Sequence, residues 1–217
     1  LIPYADFSNH NTATKITYFS NLETQSFSLI SNEPIAPNTQ VFNNYRIRSN
    51  EKLLFSYGFV EENNPLDNCL VTLHVDFRQA APEKERLLRE FFHEEDEEKH
   101  TIARDFYITR DDPLPLDLKT ALNVTNLSLL ETNQLRQNNA SLAYVSDRNQ
   151  LESLRQLHEM LTEKLTAIPV VDGELDRPLD TLSYRERCIQ VYKRGVVDVL
   201  KTAIAACHEQ ITQILAE

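Results

Sequence analysis

Residues 45–59 read YRIRSNEKLLFSYGF, and this stretch decides how the chain on either side of it is parsed. Ser49 and Asn50 are residue types that cap helix starts, and Leu53 and Tyr57 stand one helical turn apart. Gly58 sits where a helix commonly stops, so a short helix is expected over residues 50–57. Upstream, 14–20 (TKITYFS) and 25–31 (QSFSLIS) are rich in β-branched and aromatic residues with rough alternation. They predict a hairpin turning over Asn21 to Thr24. Pro34, Pro37 and Asn38 mark a turn, after which Val41 to Tyr45 reads as one more short strand. Downstream, 69–77 (CLVTLHVDF) sets Leu70, Thr72, His74 and Asp76 against Val71, Leu73, Val75 and Phe77, the pattern of a half-buried strand.

Beyond Pro82 the period becomes helical, and strand signals nearly vanish apart from a short extended piece at Phe106 to Thr109. Leu87, Leu88, Phe91 and Phe92 form one apolar helix face, and Leu151, Leu154, Leu157, Leu161, Leu165 and Ile168 form another. Pro113 and Pro115 introduce a helical stretch through about Leu135, and Pro169 to Pro178 is a polar linker. Ser183 with Glu186 is a capping-box pattern opening a final helix that can run to the C-terminus. The expected fold class is α+β, with a β-rich domain over 1–82 and an all-α multi-helix domain over 83–217.

Composition narrows the function classes. The 217 residues are 41% apolar and 25% charged, with a formal net charge of −11. Nucleic acid is not an expected partner, because clustered Lys and Arg are missing. A protein partner with a basic segment is. Glu94-Glu95-Asp96-Glu97-Glu98 could steer such a partner, although a solvated helix end or loop is the commoner meaning of an acidic run. Three Gly residues (Gly58, Gly173, Gly195) are far below an average of about 7%, so a ligand cradled by Gly-rich backbone is not expected. Cys69, Cys188 and Cys207 show neither a disulfide framework nor metal-ligand spacing. No apolar run approaches the roughly 20 residues of a membrane helix. Matches to the glycosylation pattern at Asn123, Asn126 and Asn139 are read as unmodified. The chain begins on Leu1-Ile2-Pro3-Tyr4 without Met, in what reads as the interior of a domain, so a fragment of a longer protein is expected.

The candidate chemistry lies in two polar, aromatic-flanked sites: Asp6-Phe7-Ser8-Asn9-His10, and the run from Asn44-Tyr45 to Phe59. A lone His is more often structural than functional, and a lone buried Tyr is usually an ordinary core aromatic. In combination, Asn9-His10 and Tyr45-x3-Ser49-Asn50-x2-Leu53-x3-Tyr57-Gly58-Phe59 resemble the SET-domain lysine methyltransferases of the Rubisco large-subunit type. The likeness extends through Glu62-Asn63-Asn64-Pro65-Leu66-Asp67. It reaches, more weakly, Tyr184-Arg185 and Tyr192-Lys193-Arg194-Gly195 in the last helix.

That resemblance implies that 1–82 is the C-terminal portion of a SET domain and 83–217 a helical substrate-binding domain. It implies S-adenosyl-L-methionine as cofactor, contacted by Asn9, His10 and Tyr45, with Tyr45 at the methyl-transfer channel. Tyr57 and Phe59 would then line the pocket for a lysine on a protein substrate, in the cytoplasm or nucleus. Two departures stand out. Arg46 occupies a position where the family commonly has Gly, which restricts the backbone there. The family's Gly-x-Gly cofactor motif does not occur, so this chain alone is expected not to bind the cofactor fully. Two other readings stay open: a non-catalytic protein-binding module on an incomplete SET scaffold, and a protein-histidine methyltransferase. Oligomeric state and substrate identity are not legible.

Overall fold

The computed structural model describes residues 5–78, 80–138 and 141–216. The chain divides into two compact units, Leu1–Leu66 and Asp67–Glu217.

In the first unit the expected hairpin forms. Strands β1 (Ile16–Asn21) and β2 (Ser26–Ser31) pair antiparallel, from Ile16 opposite Ser31 to Asn21 opposite Ser26. The Asn21 side chain closes the turn by accepting from the N–H groups of Glu23 (2.9 Å) and Thr24 (3.1 Å), the short-range device that makes Asn a turn former. The strand expected at 41–45 shrinks to a single parallel bridge, His10 to Asn43. Its extended run cannot continue because Arg46 sits in the left-handed region at φ 72°. Helix α1 (Asn50–Tyr57) occupies the expected residues and ends on left-handed Gly58, whose N–H reaches the carbonyls of Leu53 and Leu54.

Asn50 proves to be more than a cap. Fully buried, its side chain donates to the Glu61 carbonyl (2.9 Å) and accepts from the Glu61 N–H (2.8 Å). Asn64 clamps in the same way, donating to the Arg48 carbonyl and accepting from the Leu66 N–H, both at 2.9 Å. Such side-chain-to-backbone bonds satisfy peptide groups that no sheet or helix serves.

The second unit is built on a long antiparallel ribbon of β3 (Asn68–Asp76) and β4 (Thr101–Thr109). On β3, Cys69, Val71, Leu73 and Val75 are buried, as the alternation predicts. β4 is longer than the piece expected at 106–109. Its charged residues Arg104 and Asp105 masked the signal. Between the strands lies α2 (Pro82–Phe92), and after them come α3 (Leu116–Thr125), α4 (Leu129–Asn138), α5 (Asp147–Thr166) and α6 (Tyr184–Ala216). The single stretch expected through Leu135 is broken at 126–128, where Ser128 and Glu131 form a second capping box. The Ser183–Glu186 box is present at α6. One aliphatic core joins the ribbon to the helices, with Ile108, Leu118, Leu157, Leu161, Val199 and Leu200 inaccessible to solvent. The compact units part at 66/67, whereas the change of sequence character falls at 82/83, because β3 pairs with β4 and packs on α6.

Asp67 is buried, and a Cβ on Gly195 of α6 would stand 2.2 Å from its Oδ2, so only Gly permits that approach. The acidic run is an exposed loop between α2 and β4, folded around Arg89, which donates to the carbonyls of Asp96 (2.8 Å) and Lys99 (3.1 Å). Asn123 is buried and donates to the carbonyls of Leu142 and Ala143. Asn139 lies outside the described residues. The three cysteines are free and buried. Among the described residues there is no cluster of metal-ligating side chains and no helix long and apolar enough to cross a membrane.

Candidate functional site

The candidate residues that the sequence placed some 35 positions apart converge within the first unit. The bridge that joins them is made by the neighbours of His10: the Asn43 N–H donates to the Asn9 carbonyl (2.8 Å), and the Asn11 N–H donates to the Asn43 carbonyl (3.0 Å). In a parallel bridge of this kind the peptide groups of the central residue point away from the partner strand. The His10 N–H and C=O therefore make no bond among the described residues, and neither does the exposed Asn9 side chain.

The His10 ring is buried and stacks on Tyr45 with ring centres 5.0 Å apart. Tyr45 in turn meets Tyr57 at 4.9 Å, and Phe59 closes the group at 5.9 Å from His10 and 6.1 Å from Tyr57. Four rings from three segments thus form one cluster. Gly58 places two of them, since ending α1 in the left-handed conformation turns the chain back between Tyr57 and Phe59.

The two tyrosine hydroxyls differ. Tyr45 donates to the Ser8 carbonyl at 2.8 Å. Burial, with the nearby Tyr57, Asp6 and Tyr18, pushes its pKa above the ordinary 10.0, so it is a protonated hydrogen-bonding group at neutral pH. The half-exposed Tyr57 hydroxyl makes no hydrogen bond among the described residues. Tyr45 is pinned with oxygen lone pairs to spare, and Tyr57 is uncommitted.

Four residues support the cluster, and of these only Asn44 stood among the candidates read from sequence. Tyr18 on β1 donates to the Asn43 side chain (2.6 Å) and to the Asn44 carbonyl (2.8 Å). Asn44 donates to the carbonyls of Thr12 and Thr14, each at 3.0 Å. Both fasten the 43–45 segment against 12–18. Thr12 and Glu61 complete the surroundings of His10. As isolated polar residues without periodic neighbours, they carried no signal before the chain was folded.

S-adenosylmethionine would need polar contacts beside an aromatic wall, and the uncommitted Asn9 amide and His10 peptide groups next to Tyr45 fit that need. The His10 ring does not supply them, because both of its nitrogens are already engaged within the protein.

The second unit carries an open groove of about 560 Å³ between α2, α5 and the end of β3. Val75, Leu88 and Leu129 give it an apolar lining, and Lys84, Arg155 and Glu159 give it charge. Burial, and after it the nearby Arg148, hold Lys84 below its ordinary pKa.

No family model matches the chain. A ribosomal lysine N-methyltransferase of Schizosaccharomyces pombe is 39% identical over 87 residues, which is 40% of this chain and 16% of that protein. Ribosomal lysine N-methyltransferase 1 of Saccharomyces cerevisiae is 27% identical over 232 aligned residues, spanning 100% of this chain and 39% of that protein. The structure of Rubisco LSMT bound to AdoMet superposes with a TM-score of 0.75 at 20% identity, covering 99% of this chain and 51% of that one. Rubisco LSMT bound to sinefungin and monomethyllysine gives 0.72 at 18%. The chain thus has the fold of about half of these SET-domain proteins, and it spans well under half the length of the curated relatives it matches.

Proposed function

We propose that this chain is part of a SET-type protein lysine N-methyltransferase that uses S-adenosyl-L-methionine and acts on a non-histone protein. The observation that carries this reading is the convergence of Asn9-His10 with the rings of Tyr45, Tyr57 and Phe59.

When bound, the cofactor supplies a methyl group on a sulfonium, which an amine can displace without a covalent enzyme intermediate. Asn9 and the His10 peptide groups would hold it, with Tyr45 beside its methyl. What the protein must provide is a neutral, aligned amine. At neutral pH a lysine of pKa near 10.4 is about three units away from that state, a cost of roughly 4 kcal/mol. Aromatic walls reduce the cost, because they strip water from the ammonium and so favour its neutral form. The amine proton leaves to solvent. The Tyr45 oxygen, whose hydroxyl donates to the Ser8 carbonyl, and the Tyr57 oxygen, which makes no hydrogen bond among the described residues, then accept from the remaining N–H bonds and fix the direction of the lone pair. Both tyrosines orient the amine, and neither is a strong base.

A basic protein segment is the partner this reading favours, since most of the chain's negative charge falls in the second unit, residues 67–217. The names of the relatives support a ribosomal protein as the substrate, and the cytoplasm or nucleus is the compartment in which we propose the reaction takes place. Residues 83–217 would present the docking surface, with the groove along α2 and α5 as part of it.

The test is transfer of labelled methyl from S-adenosylmethionine to a ribosomal-protein fraction by the full-length protein, with Tyr45→Phe, Tyr57→Phe and Asn9→Ala compared. Each variant is expected to lose on the order of 10²-fold in rate, the scale of losing one positioned polar contact in a transition state. Equal incorporation by wild type and all three variants sinks the site assignment.

A further inference from the structure

We infer that Glu61, acting through Thr12, locks His10 in its Nε2–H tautomer and thereby makes the His10 ring the backbone anchor of Tyr45. The consequence for catalysis rests on the methyltransferase reading; the tautomer itself does not.

The Tyr45 N–H points at His10 Nδ1 from 3.0 Å. A peptide N–H can only donate, so Nδ1 must be the unprotonated nitrogen, and a neutral ring then carries its hydrogen on Nε2. Nε2 lies 3.2 Å from Thr12 Oγ1, which must accept from it. The Thr12 hydroxyl, having accepted there, directs its own hydrogen to Glu61 Oε2, while the Thr12 N–H donates to Glu61 Oε1 at 3.0 Å. An ionised carboxylate has only acceptors to offer, so every bond from Tyr45 to Glu61 runs in one direction. Glu61 is itself fixed, because the buried Asn50 side chain holds both of its peptide groups.

The anchored residue is the one whose ring lies between His10 and Tyr57 and whose next neighbour, Arg46, has left-handed backbone. Without the bond to Nδ1, the peptide at Tyr45 has no other described partner for its N–H. Glu61, Thr12 and the His10 side chain are thus positioning residues that act on Tyr45 from behind.

Glu61→Gln reverses the chain while barely altering its shape. The Thr12 N–H claims the amide oxygen, which leaves the amide NH2 facing Thr12 Oγ1. The Thr12 hydrogen is then turned towards His10 Nε2, and the ring must carry its hydrogen on Nδ1, against the Tyr45 N–H. Imidazole ¹⁵N shifts in the full-length protein labelled at histidine separate the two tautomers, with the His10 signal assigned by its absence from His10→Gln. Wild type should show protonated Nε2 at pH 7.5. Glu61→Gln should show Nδ1 protonation or exchange between tautomers, with kcat for methyl transfer lower by on the order of 10²-fold. Thr12→Ser, which keeps the hydroxyl, should match wild type. Thr12→Val keeps the shape and removes the hydroxyl; it should shift the Nε2 signal and let it exchange with solvent, and it decides the matter if Glu61→Gln fails to fold. Protonated Nδ1 in wild type overturns the inference. So does an unchanged His10 signal in both Glu61→Gln and Thr12→Val. A wild type that shows the expected tautomer but transfers no methyl overturns the enzyme reading and leaves the relay standing.

Discussion

The two units of this chain are held together by different physics. In Asp67–Glu217 most of the buried positions among the described residues are apolar, and ribbon and helices share one continuous core. In Leu1–Leu66, Leu53 is the one apolar residue that is fully buried among the described residues, and the buried remainder is polar: His10, Asn43, Ser49, Asn50 and Asn64. Asparagine amides there bridge loop to loop, and a cluster of four rings takes the place of a core. Aliphatic burial stabilises in proportion to area and tolerates displacement. A polar clamp is directional, and leaving one buried partner unsatisfied costs about 1–3 kcal/mol. The second unit is built to be stable, and the first to hold a few groups in fixed directions.

The largest effect that separates the two is expected from Leu157→Ala. Leu157 is fully buried on α5, and truncation there should cost about 2–5 kcal/mol. Hydrogen exchange across the chain checks where the loss falls. Amides of β3 and α5 should lose protection, while the Tyr45 amide, held by His10, should change much less. Equal loss at both would mean that the first unit borrows its stability from the aliphatic core.

The same division explains what the sequence made legible. Period-two and helical patterns report aliphatic burial, so β3 and the apolar face of α5 could be read directly, and α1 was legible because Gly58 punctuates it. β4 was seen only in its last residues because Arg104, on its inward face, interrupts the apolar alternation of Ile102, Phe106 and Ile108, and the break before α4 was missed although Ser128 and Glu131 spell out a capping box. Tyr45, His10, Tyr57 and Phe59 were found through motif spacing, which says nothing of contact. Polar clamps leave no pattern. Asn50 was read as a cap and is a bridge, and Thr12 and Glu61 became visible only when residues 49 apart stood side by side.

Acid should act on the units in sequence. Burial lowers the His10 pKa below its ordinary 6.5, against the pull of Glu61. The unfolded chain therefore binds that proton first, so the contribution of His10 to stability is full above about pH 6.5 and falls as the pH drops below it. In the second unit burial opposes ionisation of Glu131, but bonds from Arg148, Ser146 and Ser128 outweigh it and hold the carboxyl at about 2, below its ordinary 4.5. That contribution, about 3 kcal/mol, persists above pH 4.5 and is lost only between there and 2. Between pH 7.5 and 5, protection of the Tyr45 amide should fall while that of α5 holds. The reverse order would mean that His10 is not what secures the first unit.

The smallest effect, and the most pointed, concerns Arg46. Its φ of 72° is one that side chains with a Cβ avoid, at roughly 1–2 kcal/mol, and its exposed side chain returns little. Arg46→Gly removes that cost but gives the unfolded chain more freedom, worth about 0.5–1 kcal/mol. The net gain should be no more than about 1.5 kcal/mol, read as a higher urea midpoint at unchanged slope. Arg46→Val should move the midpoint the other way, because a β-branched residue is still less at ease in that conformation. The pair tests whether the turn after Tyr45 is fixed from outside. A left-handed residue that is not Gly persists only where its surroundings over-determine it, and here these are the His10 bond to the Tyr45 N–H and the contact of Arg48 Nε with the Tyr45 carbonyl at 3.2 Å. If Arg46→Gly and Arg46→Val both leave the midpoint unmoved, the segment is loose rather than clamped, and the contrast between a directional first unit and an aliphatic second one fails at the residue where it matters most.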